Sequence, residues 1–199
     1  IADKVELNNR TITMHKITLA ALLLSTSTWV FAHNITEETL LPAISVSDKG
    51  ELLYDGAKDK FSYQNWNSGL LSGKVRTIQH IAGRSKAKEM NAPLIEAIKQ
   101  AKFPQNSYQT TTIINTDDAI FGTGPFVRGS VEDSKKEFPW SQFIVDADGV
   151  AQKGWGLEKE SSAIIVLDKQ GKVRFVKEGV LSGAEITSAI NLINDLIKE

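Results

Sequence analysis

The sequence of 199 residues contains no cysteine. A protein without a thiol forms no mixed disulfide with a substrate and holds no metal through a thiolate. Thiol–disulfide oxidoreductases, thiol peroxidases and cysteine-built zinc sites are therefore excluded. Histidines number three, which is few for a metal site, and we predict that the chain uses neither a metal nor another cofactor.

An excess of one sign of charge is also lacking. The chain carries 23 Lys and Arg against 24 Asp and Glu, for a formal net charge of -1. Proteins that bind nucleic acids need basic side chains to neutralise phosphates, and anionic membrane surfaces attract polybasic segments. The composition therefore predicts no nucleic-acid partner and no membrane partner for the mature protein.

Near its start the chain has one short hydrophobic run and no long one. Residues 17–24 are mostly apolar but fall well below the about 20 residues that span a bilayer. They follow the basic start Met14-His15-Lys16 and precede Val30-Phe31-Ala32, which fits a small-x-small cleavage pattern. We interpret residues 14–32 as a cleaved signal peptide, with an uncleaved anchor as the alternative, and predict a periplasmic location.

The remaining sequence divides simply. Residues 1–13 are polar, precede the candidate initiator Met14 and carry no feature of an export signal. We therefore interpret them as a non-native or miscalled upstream segment. Residues 33–199 show no repeat, linker or low-complexity tract and have the length of one domain.

Residues 33–199 alternate between strand and helix patterns. The predicted elements are a hairpin within 43–54 that turns at 48–51, an aromatic segment at 61–66, strands at 75–81, 108–115, 142–145, 163–167 and 172–177, a helix at 85–103 that kinks or restarts at Pro93, a loop at 117–130, a short helix at 132–138, a turn at 146–149, and a last helix capped by Ser182 and Glu185. Strands that are separated by helices pair in parallel, whereas hairpins pair antiparallel. The order predicts an α/β fold with a mixed central sheet, helices on both faces and an N-terminal β-hairpin.

Gly73-Lys74-Val75, continuing to Arg84 and into a helix with Lys88-Glu89-Met90, resembles thioredoxin-like reductases and peroxiredoxin relatives. In that family the strand ends at a Cys-x-x-Cys motif, and an ungapped match puts Ser85 and Lys88 at the two cysteine positions. The segment from Ser162 to Gly171 is similar to the one that follows the family's cis-proline, with Ser162 in the place of the proline. The resemblance implies a thioredoxin-like three-layer sandwich without its redox groups.

Four stretches are similar to the YtfJ family of small exported bacterial proteins with no assigned reaction. They are His80–Ser85, Thr110–Asp118, Pro139–Asp146 and Glu160–Ala163, and the similarity extends over nearly all of residues 33–199. It implies the thioredoxin-like fold and export, and it implies no reaction.

The candidate ligand-binding residues are Arg84, Ser85, Lys88, Asp117 and Ser162. The cations Arg84, Lys86 and Lys88 surround a predicted helix start, where an anion is favoured. The alternative is a solvated basic surface, with Ser85 as a helix N-cap. A nucleophilic Ser85 would need a base, but His80 lies five residues earlier, and an odd offset puts the two on opposite faces of a strand.

A metal site is a weaker interpretation. Asp117 and Asp118 follow a strand end, and Asp146 and Asp148 lie in a turn, but the positions after Asp146 do not match a calcium loop. Turn chemistry explains these carboxylates. His33, at the predicted mature terminus, offers its amine and its imidazole to a copper ion. His80 is the one other histidine after the signal peptide, so a copper site lacks ligands. The tryptophans Trp66, Trp140 and Trp155 line a pocket or interface, or close the edges of the core.

Two main functions remain open. The first is a non-catalytic binding or accessory module whose partner is an unknown protein or a small anionic ligand. The second is a non-thiol enzyme that uses polar groups around Ser85. A purely structural role is a third possibility.

Overall fold

Seven strands pair into a mixed sheet in the computed structural model, which describes residues 33–199. The strands are β1 (Ser45–Asp55), β2 (Lys60–Asn67), β3 (Val75–Ala82), β4 (Tyr108–Asn115), β5 (Gln142–Asp146), β6 (Ser162–Leu167) and β7 (Val173–Glu178). The helices are α1 (Ser85–Met90), α2 (Ala92–Ala101), α3 (Gly124–Glu137), α4 (Val150–Trp155) and α5 (Gly183–Lys198). The predicted signal peptide and the segment before it lie outside the described residues.

The strand order is β2-β1-β5-β4-β3-β6-β7. β3 pairs in parallel with β4, and β4 pairs in parallel with β5, because helices connect these strands. β1, β2, β6 and β7 add antiparallel pairs at the two sides. The predicted α/β fold with a mixed sheet is confirmed.

The helices are distributed unequally over the two faces of the sheet. On the face that we call the helical face, α2 and α5 pack on Val75 and Ile164 through residues such as Leu94 and Ile193, and α3 packs through Val131 beside Ile81, Ile114 and Phe143. On the opposite face, α4 and the segment before β1 cover a core that includes Ile78, Ile113, Trp66 and Trp155.

The N-terminal hairpin is present, but its predicted turn at 48–51 is wrong. β1 runs through these residues and pairs at Gly50 with Val145 of β5. Gly50 has φ 77° and sits where the β1–β2 register shifts, and a side chain there would clash with the carbonyl oxygen of Gln64. The actual turn lies between β1 and β2, where Asp55 accepts a hydrogen bond from the Ala57 N–H at 3.1 Å.

One helix prediction is confirmed and another is wrong. The break at Pro93 is confirmed, because α1 ends at Met90 and Pro93 occupies the first turn of α2. The predicted loop at 117–130 contains the first half of α3, which begins at Gly124 with Pro125 in its first turn. The glycines of that stretch lower its helix propensity, so the sequence pattern did not indicate this helix. Its residues Val127 and Val131 pack against the sheet.

No element was predicted for α4, which directly follows the predicted turn at 146–149. Asp146 forms this helix locally: its two carboxylate oxygens accept from the N–H groups of Val150 at 2.9 Å and Ala151 at 2.8 Å. Burial raises the pKa of Asp146, and the two N–H bonds act in the opposite direction. The capping box of Ser182 and Glu185 at the start of α5 is confirmed.

A buried arginine joins three strands on the opposite face. Arg76 is 6% exposed and donates to the carbonyl of Leu71 at 2.6 Å and the side chain of Gln109 at 2.6 Å. It also donates to Thr111 and Gln142, both at 3.3 Å. Burial lowers the pKa of Arg76, yet neutral oxygens of β4, of β5 and of the segment before β3 satisfy its planar fork.

We expect the change Arg76→Lys to lower the free energy of unfolding by about 2 kcal/mol, because an ammonium does not reach all of these acceptors and leaves buried oxygens unpaired. Urea denaturation measures the effect. The control Arg128→Lys, at an exposed position of α3, should leave stability within about 0.5 kcal/mol. Equal stability of the two variants would show that the Arg76 fork is not needed.

Candidate functional site

A groove separates α1 and α2 from α3 on the helical face. α2 leans towards α5, and α3 packs over β1 and β5, so neither helix covers the centre of β4, which lies between them. The space left above the centre of β4 is a cavity of about 1020 Å³. We refer to this cavity as the groove. Its size is at the upper end of the range for small-molecule sites.

The groove walls are mostly apolar. They are lined by Ile81, Ile95, Ile98, Phe103, Ile114, Ile120, Phe126, Val127, Val131, Phe138, Trp140 and Phe143. At one end, Ile120 and Phe126 are 55% and 80% exposed. An apolar ligand would therefore find contacts along both helices and at this end.

The floor of the groove is polar at its centre. Gln79 of β3 and Thr112 of β4 are register partners, 6% and 9% exposed, and both line the groove. No group of residues 33–199 forms a hydrogen bond with either side chain. Next to them, the Thr110 hydroxyl lies 3.3 Å from the Tyr108 hydroxyl. Buried polar groups usually have partners, so Gln79 and Thr112 are available to a ligand.

Three lysines add positive charge to the groove lining. Lys88 of α1 donates to the Ser130 hydroxyl of α3 at 2.8 Å across the groove. Lys99 lies 4.5 Å from the ring centroid of Phe138, and Lys102 follows the end of α2. Within the described part of the chain none of the three forms a salt bridge, and Glu137 is the acidic residue of the lining.

Among the predicted site residues, Arg84, Ser85 and Lys88 line one end of the groove. Arg84 is not free for an anion, because its guanidinium pairs with Asp118 at 3.0 Å and Glu160 at 3.1 Å. Its Nε also donates to the Asp118 carbonyl at 2.9 Å. Arg84 occupies the N-cap position of α1 and Ser85 is the first helical residue, which corrects the prediction of Ser85 as the cap.

Asp117 and Ser162 lie outside the groove lining. Asp117 pairs with Lys153 of α4 at 3.1 Å. Ser162 is 1% exposed and its hydroxyl accepts from the Asn91 amide at 3.1 Å. Asn91 also binds the Gly179 carbonyl and the Leu181 N–H, so this contact ties the break between α1 and α2 to the start of β6. The structure thus brings three of the five predicted residues together.

The whole of the described domain has relatives by sequence. Residues 35–196 match a family model described as "Bacterial protein of unknown function (YtfJ_HI0045)".

The chain belongs to the YtfJ family.

It is 53% identical over 186 residues to the protein YtfJ of Escherichia coli (strain K12), which covers 94% of this chain and 100% of that protein. A protein of Haemophilus influenzae is 48% identical over 180 residues, or 90% of this chain and 96% of the relative.

Solved structures show that this YtfJ-family chain has a thioredoxin-like fold. A putative thiol:disulfide interchange protein DsbE from Chlorobium tepidum superposes with a TM-score of 0.54 at 14% identity, covering 82% of this chain and 99% of that one. A putative protein disulfide isomerase from Bacteroides thetaiotaomicron gives a TM-score of 0.55 at 16% identity, covering 84% and 93%. At these identities the likeness concerns the fold alone.

Sequence reasoning missed most of the groove in this YtfJ-family domain. Of the three tryptophans in residues 33–199, Trp140 lines the groove and is 48% exposed, whereas Trp66 and Trp155 are buried in the core of the opposite face. The available signal was the run of threonines in β4. A central parallel strand that is covered on both faces is expected to be continuously apolar, so its polar residues indicated an uncovered face.

His80 lies on the opposite face of the sheet from the groove, beside Ile113 and Ala163 on the neighbouring strands. It is 2% exposed, and its Nε2 atom has no hydrogen-bond partner in residues 33–199. Burial lowers the pKa of His80 to about 4, although the negative charge of Asp118 acts in the opposite direction. Neither His80 nor His33 lines the groove, so neither histidine is placed to activate Ser85.

His80 makes stability depend on pH. Because the pKa is about 4 in the folded state and about 6.5 when unfolded, the unfolded chain binds more protons between these values. Stability is therefore complete above pH 6.5 and falls as the pH drops towards 4, by about 3 kcal/mol from this residue alone. We expect His80→Gln to flatten the curve of unfolding free energy between pH 4 and 6.5 by that amount, as measured by urea denaturation.

The carboxylates contribute equally to both curves, so the difference between wild type and variant isolates His80. His33→Gln is the matched control, since His33 is only partly buried, and it should keep the wild-type slope. Parallel curves for wild type and His80→Gln would contradict the assignment.

Proposed function

We propose that this protein is an exported periplasmic binding protein that holds a small ligand in the groove and does not catalyse a reaction. The observation that carries the proposal is the pair Gln79 and Thr112, which lie at the floor of an apolar groove and whose side chains form no hydrogen bond within residues 33–199. A ligand that covered these side chains without hydrogen-bonding them would leave polar groups unsatisfied, at a cost of about 1–3 kcal/mol each. A bound molecule with an apolar body and polar groups at the centre would satisfy the floor and cover the walls together.

The contacts around Ser85 favour binding over catalysis. Its hydroxyl is exposed at the end of the groove, and both histidines of residues 33–199 lie outside the groove lining. The nearest cation of the predicted site, Arg84, is held by Asp118 and Glu160. A hydroxyl nucleophile needs a base and a group that stabilises developing negative charge. Neither histidine lies in the groove to act as the base, and the Arg84 guanidinium is already paired with two carboxylates.

Export rests on the sequence pattern of residues 14–32, which has the basic start, apolar core and small cleavage residue of a signal peptide. In the described part of the chain, no helix combines the length and apolar character needed to cross a membrane. The absence of cysteine suits a domain that is large enough to fold without disulfides.

Filling the groove should abolish ligand binding without unfolding the protein. Ser134 of α3 lines the groove, and its hydroxyl bonds only the Ser130 carbonyl one turn earlier. We expect Ser134→Phe to occupy the space between the helices. The neutral apolar dye N-phenyl-1-naphthylamine should bind wild type with a rise in fluorescence and should bind this variant at least about tenfold more weakly.

The matched control is Arg128→Phe, which adds the same ring at an exposed position of α3 outside the groove lining and outside the smaller pocket beside it. It should bind the dye as wild type does. Circular dichroism establishes that both variants are folded, and native mass spectrometry of wild type from the periplasm should show a bound small molecule that Ser134→Phe lacks. Equal dye binding by all three proteins, with no bound molecule, would refute the proposed function.

Export is tested by the mass of the mature protein. We expect the periplasmic form to begin at His33, because cleavage follows the small residue Ala32. Ala32→Asp places a charge at the cleavage position and should leave a larger, uncleaved form, whereas Ser27→Asn, before the cleavage pattern, should be processed normally. A wild-type protein that stays in the cytoplasm at full length would contradict export.

A further inference from the structure

The lining of the groove is specific enough to indicate a class of ligand, and this inference rests on the proposed function. We propose that the groove binds an N-acylated amino acid or short N-acylated peptide: a molecule in which an amide joins an apolar chain to a carboxylate. Three features of the groove, each in a different part of it, correspond to the three parts of such a ligand.

The apolar chain corresponds to the end of the groove where β3 and β4 finish. There Ile81 and Ile114 form the floor and are register partners, and Val127 and Val131 of α3 form one wall. Ile120 and Phe126 lie at the same end and remain largely exposed. Exposed apolar side chains that continue a buried apolar wall indicate where the hydrophobic part of a ligand lies.

The amide corresponds to the centre of the floor. Gln79 offers both a carbonyl acceptor and an amino donor, and Thr112 opposite it offers a hydroxyl. An amide group presents one donor and one acceptor, so it satisfies both residues at once. A simple fatty acid would lay methylene groups over them and leave two buried polar side chains unpaired, which costs affinity.

The carboxylate corresponds to the opposite end, at the end of α2. Lys99 and Lys102 lie on the groove side of this helix, near Phe103 and the exposed Trp140, and neither forms a salt bridge within residues 33–199. The cations at the other end are engaged, since Lys88 bonds Ser130 and Arg84 pairs with two carboxylates. An anionic group is therefore favoured beside Lys99 and Lys102.

The distances are consistent with an elongated molecule. Lys88 and Lys102 lie 14 residues apart along α1 and α2, or at most about 21 Å if the two helices were continuous. Thr112 is four residues from Tyr108 along β4, or about 13 Å. A chain longer than a free amino acid or a short organic acid is needed to reach from the lysines past Gln79 to Ile81.

The test compares four probes that differ by one feature each, used below their micelle concentrations. N-dodecanoylglycine has all three features, dodecanoate lacks the amide, N-dodecanoylethanolamine lacks the charge and N-acetylglycine lacks the chain. Trp140, at the lysine end, reports binding through its fluorescence, because Trp66 and Trp155 are buried elsewhere. We expect N-dodecanoylglycine to bind at least about tenfold more tightly than each comparator.

Two variants assign the preferences to residues. Gln79→Leu should remove the preference for N-dodecanoylglycine over dodecanoate and keep the preference over the ethanolamide. The double change Lys99→Gln with Lys102→Gln should do the reverse. Lys86→Gln, an exposed lysine of α1 outside the groove lining, is the control and should keep both preferences.

The outcomes separate this inference from the proposed function. If the neutral dye binds wild type and not Ser134→Phe, but the four probes show no ranking, the groove binds ligands and the ligand class is wrong. The same conclusion follows if Lys88→Gln, rather than the Lys99 and Lys102 pair, removes the preference for the anion. If neither dye nor probe binds, the proposed function fails as well.

Discussion

Parallel pairing of β3, β4 and β5 determines the features of the helical face. Each parallel connection needs a helix that crosses over the sheet, and α1 with α2, then α3, supply these crossovers on the same face. α2 gains its apolar contacts towards α5, and α3 gains its contacts towards β1 and β5. The two crossovers therefore diverge above β4, and the groove is the space that their divergence leaves.

This geometry gives β4 its unusual composition for a central strand. Its helical-face positions run from Tyr108 through Thr110 and Thr112 to Ile114, so apolar side chains stand at the ends and threonines at the centre. On the opposite face, Thr111 helps to hold the buried Arg76. The polar residues of β4 thus serve two different purposes, an internal tie on one face and an open floor on the other.

Much of the fold follows from local patterns in the sequence. The apolar run of β6, the break at Pro93 and the capping box of Ser182 are decided within a few residues, and all three were predicted. The turn at 48–51 was predicted wrongly because the glycine at 50 serves a close approach of β2, a contact between distant residues. The start of α3 was missed because its packing on the sheet outweighs the low helix propensity of its glycines.

The candidate site was only partly predictable for the same reason. Residues near Ser85 were found because they follow β3 directly, but the spacing between α2 and α3 depends on where each helix finds its apolar contacts, and no local pattern encodes that distance. The strand-to-helix turn at which thioredoxin-like reductases place their cysteines is here tied to neighbouring loops by Arg84, Asp118 and Glu160. These ion pairs hold the loops beside the turn, and the polar side chains without a hydrogen-bond partner in residues 33–199, Gln79 and Thr112, lie deeper in the groove.

Stability and binding make opposite demands at Gln79. In the ligand-free protein its carboxamide forms no hydrogen bond within residues 33–199, whereas an apolar side chain of similar size would join the apolar lining of the groove. A protein selected for stability alone has no physical reason to keep a glutamine and a threonine side by side under an apolar groove. The pair is understandable if a ligand with a matching polar centre binds over it, because hydrogen bonds to these side chains then add affinity and selectivity.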